Sequence, residues 1–520
     1  MLSSTVSQDI HLFMTPPHFI QRLNHLPNKL KLIIALLAGC LVPLSFAPFN
    51  LWPLGIFALT IFALLINQQS LKTVWWRAWC FGVGMYGVGV SWVYVSISGF
   101  GGAPAPLAAS LVVIFVFFMA AVFSLPFCAF GRWFSRHPLS LLIAFPATWL
   151  LGEWLRTWLL TGFPWLFIGY ADLTNWLSGW APIVGVMGLS LLSAFTAAVI
   201  AQIIYQPIKT RGLVLASCAV TFIWGAGFAL QKIEWTQLSE TLTSIAIVQP
   251  NVNQEDKWQA DYRETTMDLL SAKTEPLWGH KIIIWPEAAI TEIYSHALPF
   301  LNQINRKAAD TESGLITGII FDDREKQLYY NSVATFGRAI GIHHKRRLVP
   351  FGEYVPFEPL RNVIEFFNLP TSIINLGPDE QYGLKVDDLM IAPSVCYEVA
   401  FPDLIAENAV GSQLLISISN LGWFGDSLGR HQFMQMAQMR ALETQRYYAY
   451  STNNGPSAIF DRKGKITSQT KAFEQTSLSS EFFAAEGSTP FMRFGSLPLV
   501  AISILGLALL LFFGKKNPDS

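Results

Sequence analysis

Residues 281–287 read Lys-Ile-Ile-Ile-Trp-Pro-Glu, and this stretch decides the fold. After its lysine the run is apolar at every position, so an extended segment would be buried on both faces, as in a central strand of a layered α/β domain. Pro286 cannot donate to a strand ladder, so the strand ends there and Glu287 stands at its exit. Thr243–Val252, Gly314–Ile320, Leu389–Cys396, Leu414–Ser419, Tyr447–Thr452 and Ser457–Phe460 are also short and rich in β-branched or aromatic residues. Gly, Pro, Asn or Asp bounds them, which is the signature of strands. Helical patterns lie between them at Trp258–Ala272, Leu298–Ala309 and His431–Gln445. Strands alternating with helices predict an α/β layered domain over residues 231–494.

Outside that domain the composition changes. The 520 residues are 52% hydrophobic and only 13% charged, about half the usual charge content. The excess is carried by residues 1–230 and by the last twenty-five. Eight runs approach the roughly 20 apolar residues that cross a bilayer: Leu32–Phe49, Leu51–Ile66, Ala78–Ile97, Ala105–Phe130, Pro138–Gly152, Trp180–Ile204, Leu213–Leu230 and Leu497–Phe513. The second and fifth are short. So many runs without interrupting charge leave no polar face for a soluble protein.

Basic residues set the expected orientation. Arg22, Lys29 and Lys31 precede the first run, Lys72 and Arg77 follow the second, and Arg132 and Arg136 follow the fourth. Lys209 and Arg211 follow the sixth, and Lys515 and Lys516 the eighth. The alternate loops hold only Arg156. Both termini are expected in the cytoplasm, with residues 231–494 on the far side. The expected organisation is a cytoplasmic tail (1–31), seven spans (32–230), an extracytoplasmic α/β domain (231–494), and an eighth span with a cytoplasmic end (495–520). No removable signal peptide is read. The segment Trp154–Trp180, rich in Trp, Phe and Leu, is expected to lie half-buried at the outer membrane surface, as an anchor or as the lining of a path from lipid.

Net formal charge is zero, which argues against nucleic-acid binding. No His/Cys cluster has zinc spacing and no Gly-rich phosphate loop occurs, so no metal or cofactor is expected. Four of the five cysteines, at 40, 80, 128 and 218, fall in apolar runs; Cys396 alone lies in the polar region.

Three motifs present reactive groups: Ile-Ile-Trp-Pro-Glu ending at Glu287, His-His-Lys-Arg-Arg-Leu-Val-Pro-Phe-Gly-Glu from His343 through Lys345 to Glu353, and Ser-Val-Cys-Tyr-Glu around Cys396. Singly, each has a plainer meaning. Cys396 reads as a small buried hydrophobe, Lys345 as solvated charge, and Glu287 as a helix-end carboxylate. Together they supply a thiol nucleophile, a carboxylate to take its proton, and an ammonium for the oxygen of a tetrahedral intermediate. The backbone N–H of Tyr397 is a second candidate donor.

The three motifs resemble those of the nitrilase (carbon–nitrogen hydrolase) superfamily, whose members use a Glu, a Lys and a Cys. With the apolar runs around them, nearly the whole chain is similar to the apolipoprotein N-acyltransferase family. Lys-Arg-Arg-Leu-Val-Pro-Phe-Gly-Glu-Tyr-Val-Pro and Trp-Phe-Gly-Asp-Ser-Leu-Gly-Arg-His-Gln are the specific signals. Arg347, where the family often has His, and Leu421 depart from its pattern.

The resemblance implies an eight-helix membrane bundle carrying an α-β-β-α nitrilase-like sandwich, with Glu287, Lys345 and Cys396 as the catalytic triad. It implies supporting roles for Glu353, Tyr397 and Glu398, and for Trp258 on a mobile lid. It also implies an inner-membrane enzyme, read as a monomer, that moves an acyl chain from a phospholipid to the α-amine of a diacylglyceryl-cysteine on an apolipoprotein. Transfer runs through a thioester on Cys396. A membrane-anchored amidase or nitrilase would share the triad and deliver the acyl group to water. A transporter with an inactive domain would need charges lining the spans, which are almost absent. Apolar residues of 357–370, Phe366 and Phe367 among them, are expected to seal the site.

Overall fold

The computed structural model describes residue 21 and residues 25–205, 211–355 and 374–514. The expected sealing loop around Phe366 and Phe367 lies outside the described residues, as does most of the N-terminal tail.

The apolar runs are helical, and they form one packed bundle. Among the described residues, four helices are long and apolar enough to cross a membrane: Asn28–Ser45, Ala105–Phe134, Trp176–Tyr205 and Arg211–Leu230. A fifth unit, Leu71–Gly89 with Val93–Gly99, bends by 60° at its break. Trp52–Ile66, Ser140–Leu155 and Leu497–Phe512 are apolar but shorter. This is a membrane protein. Helices in a bilayer gain little from apolar burial against one another, so close contact requires small residues. Gly39 and Gly84 show the requirement: a Cβ on Gly39 would fall 2.0 Å from the Phe81 carbonyl oxygen, and one on Gly84 2.0 Å from that of Leu36. On the outside, Leu215, Phe222, Ile502 and Leu505 remain exposed.

The α/β domain has two sheets. In the first the order is Thr476–Gly487, Thr236–Gln249, Ile282–Ile284, Gly314–Asp323, Leu328–Gly337 and Ile342–His344. In the second it is Ile466–Gln469, Ala458–Phe460, Tyr448–Thr452, Leu414–Ser419, Leu389–Val395, Leu384–Val386 and Ala339–Ile340. The Ile282–Ile284 strand pairs in parallel on both sides. Its residues 282 and 284 join the core between the sheets with Ile245, Ile316, Ile391, Val395 and Ile416. Ile283 faces the other way, against Leu301 and Ile304 of the helix Tyr294–Asp310. That division explains the uninterrupted apolar run.

The second sheet turns its outer face to the helices Pro402–Ala409 and Leu428–Thr444. One continuous apolar cluster extends from the membrane helices through Phe433, Met436 and Met439 to Tyr448, Tyr450 and Phe460. The architecture is therefore helix, sheet, sheet, helix, with the last helical layer seated on the membrane helices.

Several boundaries differ from the sequence reading. The helix expected from Trp258 begins at Arg263, because residues 254–258 form a turn. The strand expected to reach Cys396 stops at Val395. Leu328–Gly337 and Thr476–Gly487 are additional strands.

Residues 154–180 are also deeper than expected. Trp165, Phe167, Tyr170 and Asp172 are buried under the catalytic layer, whereas Trp158 and Trp176 remain exposed. Burial is possible because the polar groups are mutually satisfied. Arg156 Nη1 donates to the Trp165 carbonyl (2.7 Å) and to the Tyr86 hydroxyl (2.7 Å). Asp172 accepts from Asn175 and Ser193, each at 2.7 Å.

Candidate active site

Each of the three motifs ends a strand or lies in the loop after one, and the sheets bring those ends together. Glu287 follows the Ile282–Ile284 strand through Trp285-Pro286. Gly318 of the neighbouring strand passes directly behind it: a Cβ there would lie 2.5 Å from the Ala288 nitrogen and 2.7 Å from the Glu287 Cα. Only glycine leaves room for that loop.

Lys345 follows the short strand Ile342–His344 and has no exposed surface. Its ammonium lies 2.9 Å from Glu353 Oε1 and 3.5 Å from Glu287 Oε1. Burial alone would strip its proton, but the two carboxylates overcome that and hold it above the usual lysine range.

Cys396 opens a turn after the Leu389–Val395 strand, at φ 47°. Left-handed backbone is costly for a residue with a Cβ and is retained where surrounding structure enforces it. Glu398 supplies much of that enforcement. Its buried carboxylate accepts the backbone N–H of Val395 (2.7 Å) and of Arg346 (2.6 Å), and stands 3.4 Å from His343 Nε2. It thereby joins the Cys396 turn to the Lys345 loop. Burial would raise its pKa, but His343 and the two N–H groups prevail and hold it below the usual carboxylate range.

Cys396 as a residue is half-buried. The dense surroundings push the thiol well above its ordinary pKa, with Glu287 pushing further and Lys345 opposing. At rest the sulfur is therefore protonated, and attack requires a base. Glu287 is the carboxylate whose charge acts most strongly on that thiol. Its Oε1 accepts from Asn331 Nδ2 at 2.8 Å and its Oε2 from the Asn420 backbone N–H at 2.9 Å. The same Asn331 amide reaches Glu353 Oε1 at 2.9 Å, and Glu353 Oε2 accepts the Val349 N–H at 2.8 Å.

The structure thus places Glu287 and Lys345 within 3.5 Å of each other, both close enough to act on the Cys396 thiol, with Glu353 on Lys345 and Glu398 holding the residues next to Lys345 and Cys396. Tyr397 points its hydroxyl to the Gly162 carbonyl (2.9 Å), tying the Cys396 turn to the membrane helices' side of the molecule. Trp258 is 47% exposed on the 254–258 turn. Three residues absent from the sequence reading belong here: Asn331, Asn420 and Lys257. Lys257, beside Trp258, is buried and donates to the Glu287 carbonyl oxygen at 3.0 Å. Asn331 and Asn420 carry no charge and sit in no recognised motif. Among the described residues no group of three or more His, Cys, Asp or Glu is placed to hold a metal.

A thiol, a carboxylate and an ammonium around one point, in an α-β-β-α domain seated on apolar helices, define a membrane-bound enzyme of the carbon–nitrogen hydrolase class. The comparisons agree. Residues 244–482 match the carbon-nitrogen hydrolase family and residues 38–199 the apolipoprotein N-acyltransferase N-terminal domain. The chain is 38% identical over 491 residues to the apolipoprotein N-acyltransferase of Pseudomonas putida, covering 93% of this chain and 97% of that one. It is 35% identical to that of Coxiella burnetii (92% and 99% covered) and 39% identical to that of Azotobacter vinelandii (92% and 94%). The crystal structure of Saccharomyces cerevisiae Nit3, a nitrilase-superfamily member, aligns with 48% of this chain and 92% of its own at 17% identity and a TM-score of 0.36. This chain belongs to the apolipoprotein N-acyltransferase family.

Proposed function

We propose that this enzyme moves an acyl chain from a membrane phospholipid to the α-amine of the diacylglyceryl-cysteine that begins an immature lipoprotein. The carrying observation is the convergence of Cys396, Glu287 and Lys345 in a domain whose inner helices pack on the membrane bundle. A thiol acyl-transfer site built on a membrane bundle suits acyl donors and acceptors that reside in the bilayer.

The reaction has two halves. Glu287 takes the Cys396 proton as sulfur attacks an ester carbonyl of the phospholipid. Lys345 faces the resulting oxyanion, a contribution of about 3–4 kcal/mol for a single donor. The intermediate collapses to a thioester, and the departing lysophospholipid oxygen takes the proton from Glu287. In the second half the lipoprotein amine attacks the thioester and Glu287 accepts the amine proton. Collapse to the amide expels the sulfur, which recovers that proton. No cofactor is required. Glu353 and Asn331 align Lys345 and Glu287; Glu398 and Tyr397 hold the Cys396 turn; exposed Trp258 faces the incoming substrate.

The proposed topology is eight spans with both termini cytoplasmic, residues 32–230 and 495–520 holding the spans and 231–494 the periplasmic catalytic domain of an inner-membrane monomer. The basic loops support it. Purified enzyme incubated with phospholipid should gain one acyl mass on Cys396, and this adduct should pass to a diacylated lipopeptide. An adduct surviving in Cys396→Ala, or none in the wild type, would refute the scheme. Release of free fatty acid with no lipopeptide product would instead mark a hydrolase.

A further inference from the structure

The site holds a second buried ammonium that the scheme above does not use. Lys257 is 2% exposed, and the one hydrogen bond found for its Nζ among the described residues is to the Glu287 main-chain oxygen. An ammonium has three N–H donors, so a single carbonyl is a poor return for burying the charge. A lysine with a flexible stem at an exposed turn could place its charge in water at little cost; the fold instead turns it inward.

The segment carrying it is fixed at several points. Asn251 N–H donates to the Asn453 carbonyl (2.9 Å), Val252 N–H to Asn453 Oδ1 (3.0 Å), and the Asn420 amide to Gln254. Asn420 is the residue whose N–H holds Glu287. The turn is therefore anchored to the same loop that positions the base.

We propose that Lys257 is a positioning residue of the reaction centre: its ammonium fixes the backbone of Glu287 and stabilises negative charge on the Glu287 carboxylate and the Cys396 sulfur. This rests on the acyl-transfer reading of the site. Burial drives its proton off, to about 8, while Glu287 and Cys396 each favour the charged form. The attraction is mutual, so the Lys257 ammonium favours negative charge placed at either group. The other ionisable groups that act on Cys396 are Lys345 and Glu353, with Tyr450 behind it. On Lys257's own turn, Glu255 is exposed and Asp256 bonds to Asn253 and Gln259.

The test is rapid-mixing kinetics of full-length enzyme in phospholipid vesicles with a fluorescent acyl donor, comparing wild type, Lys257→Met and Lys257→Arg. Burst amplitude counts folded sites; the burst rate constant reports thioester formation. One neighbouring charge shifts a titrating group by about one to three pH units. Lys257→Met should therefore lower the rate constant at least about tenfold at pH 7, with the lipid KM nearly unchanged, and Lys257→Arg should recover most of it. The wild-type rate should also bend downward from its rising pH profile near pH 8, where Lys257 loses its charge, and the Met variant should lack that bend. A smaller amplitude with a wild-type rate constant and an unaltered bend would make Lys257 purely structural and overturn the inference. A wild type showing no burst would instead refute the acyl-transfer reading.

Discussion

Asn331 offers the sharpest test of how the base is held. Its amide lies between two carboxylates, 2.8 Å from Glu287 Oε1 and 2.9 Å from Glu353 Oε1, and it is buried. Asn331→Leu keeps the branching of the side chain and removes both hydrogen bonds. Glu287 then has the Asn420 N–H on its other oxygen and the Lys345 ammonium 3.5 Å away. Lacking the amide, the carboxylate should close onto the ammonium, engaging the base and the oxyanion donor with each other. A hydrogen bond to a charged group contributes about 1.5–3 kcal/mol. Losing the one that sets Glu287's orientation should slow thioester formation by roughly 10- to 150-fold, since each 1.4 kcal/mol is about tenfold. Burst kinetics would measure this per folded site, free of any loss of protein. A rate constant within threefold of wild type would show that Asn331 does not orient the base.

Three further outcomes are expected. Gly318→Ala places a methyl 2.5 Å from the Ala288 nitrogen; the Glu287 loop must shift, costing about 1–3 kcal/mol of stability and slowing thioester formation, and unchanged melting and kinetics would contradict the close approach. Glu398 has a depressed folded-state pKa, so its contribution is present above the unfolded value of about 4.3 and is lost as pH falls through the lower folded value. Glu398→Gln should thus be less stable at neutral pH and show a shallower loss in acid denaturation than wild type, whereas equal acid slopes would exclude the role. Gln432→Leu strands the Trp165 indole N–H (2.7 Å) and the Gly89 carbonyl (3.1 Å). It should lower thermal stability, at about 1–3 kcal/mol for each orphaned group, with the burst rate per folded site preserved; a slowed burst would show that this interface sets the site's geometry.

What the sequence disclosed depended on how completely each element is buried. Ile282–Ile284 and Leu389–Val395 have buried residues on both faces, so their composition alone reads as strand. Thr476–Gly487 is mostly half-exposed or exposed, and in Leu328–Gly337 the apolar run is interrupted by polar Asn331, which bonds to Glu287 and Glu353, and by Ser332, which bonds to His344. Glu287, Lys345 and Cys396 were legible because each sits in a distinct motif; the neutral amides and Lys257 reach the site by position, which only the assembled loops define. The membrane runs were legible as composition but not as lengths. The third breaks near Val90 without a charge or proline, where Gly429 of the catalytic layer meets Trp92.

The charges at the centre can be balanced one against another. Glu287 and Glu353 face Lys345 and, on the proposed assignment, Lys257, so these four groups balance two against two around a resting neutral thiol, with the Glu398 carboxylate held separately by His343 and two N–H groups. In the proposed attack Glu287 takes the thiol proton as sulfur adds to the carbonyl, and one negative charge leaves the carboxylate and reappears on the carbonyl oxygen. The total is unchanged, which matters in a medium too poorly polarisable to solvate a new ion. What changes is which group the cations face. Lys345 keeps its 2.9 Å contact with Glu353 and yields the looser 3.5 Å one with Glu287, so it is free to turn toward the new oxyanion without leaving a buried carboxylate unpaired. Burying two ion pairs does little for stability. Its return is a polar surround already oriented for a charge that moves a few ångströms, with no water needing to rearrange. On the proposed two-step scheme an ester and then an amine, both presented from lipid, meet the same surround in succession.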